Sequence, residues 1–366
     1  MRTITDSTPR KDGFRMPGEF EEHKQAWMLW PERPDNWRNG AKPAQQVFAN
    51  VANAIAQFEP ITVGVSDAQF ENARRLLGEN VRVVEISSND SWVRDCGPTF
   101  VKNDKGEVRA VNWDFNAWGG LFDGLYFPWD KDDRVPAKIC NIENVDMYKP
   151  DHFVLEGGSI HVDGEGTLVV TEQCLLSPGR NPELTKEQIE EYLRQYLNVD
   201  KILWLREGMD PDETNGHVDD VCCFARPGEV VIPWTDDQEN PFYRVCHMVY
   251  EDLAGQTDAK GRTLTIHKIP LLKEQVFITQ EEAEGIAPMP GSAPRVAGEM
   301  AAASYLNYLL VNGGVIVPQF GDENDEAALE ALRRIHPERK VVGVYTREII
   351  LGGGNIHCIT QQQPKA

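Results

Sequence analysis

Apolar and β-branched residues in this chain fall in short alternating runs paired across turns of Gly, Asp or Asn. "GPTFVKNDKGEVRAVNW" (97–113), "GSIHVDGEGTLVVT" (158–171), "DDVCCFARPGEVVI" (219–232) and "NYLLVNGGVIVP" (307–318) each read as a β-hairpin. After the last three the apolar period lengthens to that of a helix, over Leu184–Leu197, Pro241–Leu253 and Glu323–Ile335, and another strand follows in "KILWL", "TLTIHK" and "KVVGVY". The N-terminal region predicts a further unit: strand 26–30, helix 43–58 with Val47, Val51, Ile55 and Phe58 on one face, strand 61–65, helix 67–77 and strand 81–86. The pattern is thus an α/β chain of five related units, taken as one domain over 1–366.

A last strand, 355–360, has no partner after it, so it is expected to return beside the N-terminal unit and close a ring. Glycine-rich termini ordinarily fray, because glycine loses the most backbone entropy on ordering. Here, however, Gly353-Gly354-Asn355-Ile356-His357-Cys358 repeats Gly157-Gly158-Ser159-Ile160-His161-Val162 position for position. The tail is therefore read as a structural element.

Copies arranged around an axis would bring equivalent strand ends together. Those ends read "SWVRDCG" (91–97), "LEGGSIH" (155–161), "ETNGHVDD" (213–220) and "GGGNIHC" (352–358). Asp95, Glu156, His217 with Asp219, and Cys358 form the candidate constellation. A thiol needs a neighbouring base or cation to ionise, and a histidine from a distant unit makes Cys358 a candidate nucleophile. Cys96, Cys222 and Cys223 lie in strand-like runs and are read as structural. Carboxylates beside a thiol and a histidine suit a cation, and a planar guanidinium matches a carboxylate in fork geometry.

A formal charge of −21 counts against nucleic-acid binding and favours a cationic ligand. The seven cysteines are irregularly spaced with no C-x-x-C pair, which fits reduced thiols in the cytoplasm better than disulfides or a zinc site. The opening residues lack a signal-peptide core and no long apolar run occurs, so no membrane partner is expected.

"WVRDCGPTF", "LEGGSIHVDGEGTLVVTEQCLLSPGRNP", "TNGHVDDVCCFARPG", "LGGGNIHCITQQQP" and "WPERPDNWR" resemble the agmatine deiminases of the guanidino-modifying (pentein) superfamily, from Met16 to Pro364. The resemblance implies a five-bladed α/β propeller that hydrolyses agmatine to N-carbamoylputrescine and ammonia, a step of putrescine biosynthesis, with no metal or organic cofactor. It implies Cys358 as nucleophile, His217 as general acid and base, Glu156 as the partner orienting that histidine, and Asp95 and Asp219 as the guanidinium grip. Asp219 is preferred to Asp220 because strand alternation would put it on the face of His217. Cys96 stands where Ser or Thr is common in the family, and Asp220 where Asn is common.

Agmatine differs from arginine by lacking an α-carboxylate, so its site needs room or an acid for the far ammonium. Glu213 is the candidate acid, and Trp92 the candidate cover for the alkyl chain or guanidinium face. The same scaffold leaves open an arginine or peptidyl-arginine deiminase or an amidinotransferase. Two other classes compete: a non-haem iron oxygenase using His217, Asp219 and His267, and a silent polyamine-binding protein. A homo-oligomer is left open.

Overall fold

The computed structural model describes residues 1–209 and 212–366, and the named strands group into five small sheets. Three follow one plan, an antiparallel hairpin, a helix, then a strand parallel to the hairpin's second member. These are His161–Val162 with Thr167–Thr171 and Lys201–Leu205, Cys223–Arg226 with Glu229–Trp234 and Thr265–Pro270, and Leu309–Val311 with Gly314–Gln319 and Lys340–Tyr345. A fourth sheet joins Thr99–Lys102, Val108–Val111 and Met147–Tyr148 to the N-terminal Thr3–Ile4. In the fifth, His23–Leu29 pairs in parallel with Ile61–Val65, and that strand with Val81–Glu85, while the C-terminal Thr360–Pro364 pairs antiparallel to His23–Leu29.

The helices form where the apolar stripe and caps agree. Lys186–Leu197 opens on a capping box between Thr185 and Gln188, buries Ile189, Leu193 and Leu197 at i, i+4, i+8, and stops at Asn198 with φ 56°. Each such leucine removed from water contributes about 1.5–3 kcal/mol. The helices link neighbouring units. Tyr243–Leu253 packs on Lys201–Leu205 of the preceding unit, Asp325–Ile335 on Thr265–Pro270, and Lys42–Ile55 on Lys340–Tyr345. Among the described residues no helix is long and apolar enough to cross a membrane.

One expectation needs correction, and three elements had no forerunner in the sequence pattern. The last strand is Thr360–Pro364, whereas residues 355–359, expected to lie in it, precede it, with 356–359 in turns. There Thr360 Oγ1 donates to the Ile356 carbonyl, and the Asn355 side chain accepts from the Ile356 amide. The polar run Gln361–Gln363 is buried because its amides are satisfied: Gln363 accepts from Gln25 and Trp27, and Gln361 and Gln362 accept from Arg94. The strands Thr3–Ile4 and Met147–Tyr148 and the helix Val135–Glu143 were not anticipated, since a two-residue strand carries too little pattern to register.

Candidate active site

The candidate residues sit on the approaches to the hairpins, and several of these approaches are single helical turns where strand ends were expected. Asp95 lies on Val93–Cys96, Glu156 and His217 precede the turns Gly157–Ser159 and Val218–Asp220, and Asp219 lies within the latter. Strand alternation therefore does not select Asp219. The turn itself sends Asp219 toward the thiol, with Oδ2 3.8 Å from Cys358 Sγ, and Asp220 toward Asn307, whose Nδ2 donates to it at 3.1 Å.

His217 lies between two acids. Its Nδ1 is 3.9 Å from Asp95 Oδ1 and its Nε2 3.8 Å from Glu156 Oε2, with all three side chains buried. Burial opposes charge on the ring, yet Asp95, the Cys174 thiol and Glu156 outweigh it and raise the imidazole well above its ordinary range. Glu156 feels the same burial, but the Arg180 guanidinium, with Nε 2.7 Å from Oε1, holds it below the usual carboxylate range. Asp95 accepts from the Gly158 amide and from Trp118 Nε1, both at 2.9 Å. Burial, with Asp219 and Glu156 nearby, still pushes its carboxyl up to about 6 against the pull of His217.

Glycine at 158 permits this convergence. A Cβ there would lie 2.5 Å from His217 Nδ1, 2.9 Å from Asp95 Oδ1 and 3.0 Å from Asp219 Oδ2. In that crowded centre His217 Nε2 and Asp219 Oδ1 are buried and have no hydrogen-bond partner among the described residues. Buried groups left so are costly unless a ligand satisfies them.

Cys358 is 8% exposed and opens onto a cavity walled by Trp92, Asp95, Trp118, Glu213 and Arg295. Burial, then Asp219, Asp220 and Asp95, pushes its thiol well above the ordinary range. Trp92 is both wall and core: its Nε1 donates to Asp90 at 3.1 Å while its ring packs on Trp37 and Trp118. Glu213 reaches the cavity but is not a free anion, because Arg295 pairs with it at 2.5 Å. Arg295 also donates to Asn36 and the Gly352 carbonyl, and Arg33 is bound by Asp35 and Asp90, so both cations of the lining are engaged.

Sequence reading missed Asn307, Glu19, His357, Arg94 and Arg180. Asn307 opens the fourth hairpin, as His217 and Asp219 precede the third, and that equivalence was the available signal. His357 stands in the repeated Gly-Gly motif. No local signal marks Glu19 or Arg180, whose roles come from contacts across long stretches of chain.

Among the described residues two groups of buried side chains could present three ligand atoms to a metal: Glu156, Cys174 and His217, and Glu19, His161 and His357. Each already holds its own cation, Arg180 beside the first and Arg94 beside the second. His267 belongs to neither group and pairs with Glu229 at 2.7 Å, so the iron-binding set of His217, Asp219 and His267 does not assemble.

The fold is similar to that of a dimethylarginine dimethylaminohydrolase, whose structure superposes with a TM-score of 0.50 over 93% of this chain and 99% of its own, at 13% identity. The model of the Porphyromonas-type peptidyl-arginine deiminase family matches residues 15–364. The chain is 59% identical over 359 residues to the agmatine deiminase of Pseudomonas aeruginosa strain UCBPP-PA14, covering 98% of this chain and 97% of the relative. The structure of the Enterococcus faecalis agmatine deiminase, 58% identical, superposes with a TM-score of 0.98 over 100% of both chains. The chain belongs to the Porphyromonas-type peptidyl-arginine deiminase family and, at this identity over nearly its whole length, to the agmatine deiminases.

Proposed function

We propose that the protein hydrolyses agmatine to N-carbamoylputrescine and ammonia through a covalent adduct on Cys358, in the biosynthesis of putrescine. One observation carries the reading: a buried thiol faces a cavity lined by Asp95, with Asp219 Oδ2 3.8 Å behind the sulfur and Asp219 Oδ1 buried without a hydrogen-bond partner among the described residues. A guanidinium answers both needs, because it brings charge and in-plane N–H donors.

The resting site holds His217 protonated and Cys358 as a thiol, which sets the order of events. Entry of the cation reverses the local field that keeps the thiol neutral, and Cys358 loses its proton to solvent. The thiolate forms a C–S bond to the guanidinium carbon. His217 gives its proton to a terminal nitrogen, the C–N bond breaks and ammonia leaves. The neutral imidazole then takes a proton from water and the resulting hydroxide adds to the same carbon; the C–S bond breaks with its electron pair returning to sulfur, and the hydroxyl proton passes to the departing thiolate, which releases the ureido product and restores the thiol. Glu156, fixed by Arg180, keeps His217 oriented and charged.

At the far end the cavity is closed by Glu213 paired with Arg295, and among the described residues no unengaged cation awaits an α-carboxylate there, which favours agmatine over arginine. Glu213 faces the ammonium of agmatine and Trp92 lines its alkyl chain. The five sheets are read as blades of a propeller closed by Thr360–Pro364 into a single domain, with the catalytic side chains on its axis. The packing of each helix on the sheet of its neighbouring unit supports that arrangement. Seven free thiols suit a reducing cytoplasm.

Ammonia release from agmatine, arginine and a blocked arginine peptide tests the activity, with agmatine expected to have the highest kcat/KM. Acid quenching during turnover, followed by peptide mass mapping, should find the adduct on the peptide holding Cys358. An adduct on Cys222 or Cys223 would overturn the assignment.

A further inference from the structure

Behind Asp219 lies a line of buried charges that the mechanism above does not use. His357 Nδ1 is 2.7 Å from Asp219 Oδ2, and His357 Nε2 is 2.8 Å from Glu19 Oε2. Glu19 comes from the N-terminal segment, and its other oxygen accepts from the Leu310 amide at 2.8 Å. Both ring nitrogens therefore meet carboxylate oxygens at hydrogen-bond distance, and only a ring carrying two N–H donors satisfies both. The same requirement removes this cluster as a metal site, since a metal would need a bare nitrogen.

We propose that Glu19 and His357 are positioning residues for the substrate-binding carboxylate: Glu19 fixes the His357 ring, and the ring occupies Asp219 Oδ2 so that Oδ1 alone is left for the cation. The proposal rests on the reading of Asp219 as the guanidinium acceptor. The geometry explains a division among three neighbouring acids. Neither Asp220 nor Asp95 has an imidazole at hydrogen-bond distance, and burial, with Asp219 close to each, pushes both carboxyls up. Asp219 is as buried, yet the hydrogen bond and charge of His357 hold it below the usual range. The groups facing His357 are Asp219, Glu19, Arg94 and His161. Burial and Arg94 oppose its charge, the two carboxylates outweigh them, and its imidazole is raised, whereas His161 is pushed down to about 4 and stays neutral. Without the relay, Asp219 would share its neighbours' tendency to hold a proton and would hold a cation less firmly.

The test uses the full chain with Glu19→Gln, Glu19→Asp, His357→Asn and Asp219→Asn, each checked for folding by circular dichroism and thermal unfolding. Glu19→Gln and His357→Asn are expected to raise KM for agmatine about tenfold or more with a smaller change in kcat. They should also move the acid limb of kcat/KM upward by about one pH unit, as loss of an opposite charge does. Glu19→Asp should recover part of the loss. Adding Glu19→Gln to Asp219→Asn should change little further, because the relay acts through Asp219. Nitrogen chemical shifts of labelled histidine, with His357 assigned by His357→Asn, read the ring directly and independently of turnover. They should show an imidazolium that persists to higher pH in the wild type than in Glu19→Gln. A neutral His357 ring at pH 7 in the wild type, wild-type KM and pH profile in folded Glu19→Gln, or equal losses with and without Asp219, would each overturn the relay. Persistent imidazolium in a protein inert toward agmatine would refute the proposed activity and leave the charge relay standing.

Discussion

Asn307 Nδ2 lies 3.3 Å from Cys358 Sγ, and Asn307 Oδ1 accepts from the His357 amide at 3.0 Å. One side chain thus anchors the turn that carries the thiol and offers the sulfur a donor. Hydrogen bonds to a charged group contribute about 1.5–3 kcal/mol, so Asn307→Ala is expected to lower kcat roughly 10- to 100-fold. Alkylation of Cys358 by iodoacetamide across pH should show the thiol ionising at higher pH in the variant. Unchanged alkylation and kcat would confine Asn307 to backbone support.

Gly158→Ala tests whether the centre is as closely packed as the distances imply. The new methyl would press on His217, Asp95 and Asp219 together, and side-chain misplacements approaching 1 Å cost about 100-fold in rate. A folded variant with kcat reduced by about that factor is expected. Near-wild-type turnover would mean that the three side chains can separate without loss.

The units were legible because their hairpins and amphipathic helices repeat local patterns, and helix Lys186–Leu197 began within two residues of its expected start. Cys358, His217, Glu156, Asp95 and Asp219 stood out because glycine-flanked polar residues recur at equivalent places. What the sequence concealed was pairing. Glu213 looked like a free acid until Arg295, far along the chain, was found against it, and Glu19 acquires meaning only beside His357. Local periodicity carries no information about such partners.

Asp95 predicts an opposition between stability and function. Its carboxyl, ordinarily near 3.8, is raised to about 6, so the folded state holds the proton more tightly than the unfolded chain. That contribution is fully present below about pH 4 and is lost as pH rises through 6; the difference corresponds to about 3 kcal/mol. Asp95→Asn has no such titration. Between pH 4 and pH 7 the variant should gain stability relative to the wild type by up to that amount, while losing ammonia release because a neutral amide cannot grip the cation. Urea unfolding of both proteins at several pH values reads the difference, and parallel stability profiles would show that Asp95 is not destabilised by burial.

Selectivity is tested at Glu213 and Arg295. In the wild type the pair is close to neutral, and agmatine's ammonium meets an acid already shared with a guanidinium. Glu213→Gln leaves Arg295, whose side chain is only 11% exposed, without its counter-ion at the end of the cavity. An uncompensated cation there repels an ammonium and attracts a carboxylate. KM for agmatine should therefore rise about tenfold or more, since each tenfold is about 1.4 kcal/mol and loss of a charged partner in a partly desolvated site exceeds that, while kcat changes little. Arginine should lose less or gain, because its carboxylate can approach Arg295, and the ratio of kcat/KM for agmatine over arginine should narrow. Steady-state ammonia release on both substrates measures the ratio. If it stays unchanged in a folded variant, neither residue faces the substrate's far end, and the preference must come from the length and shape of the cavity.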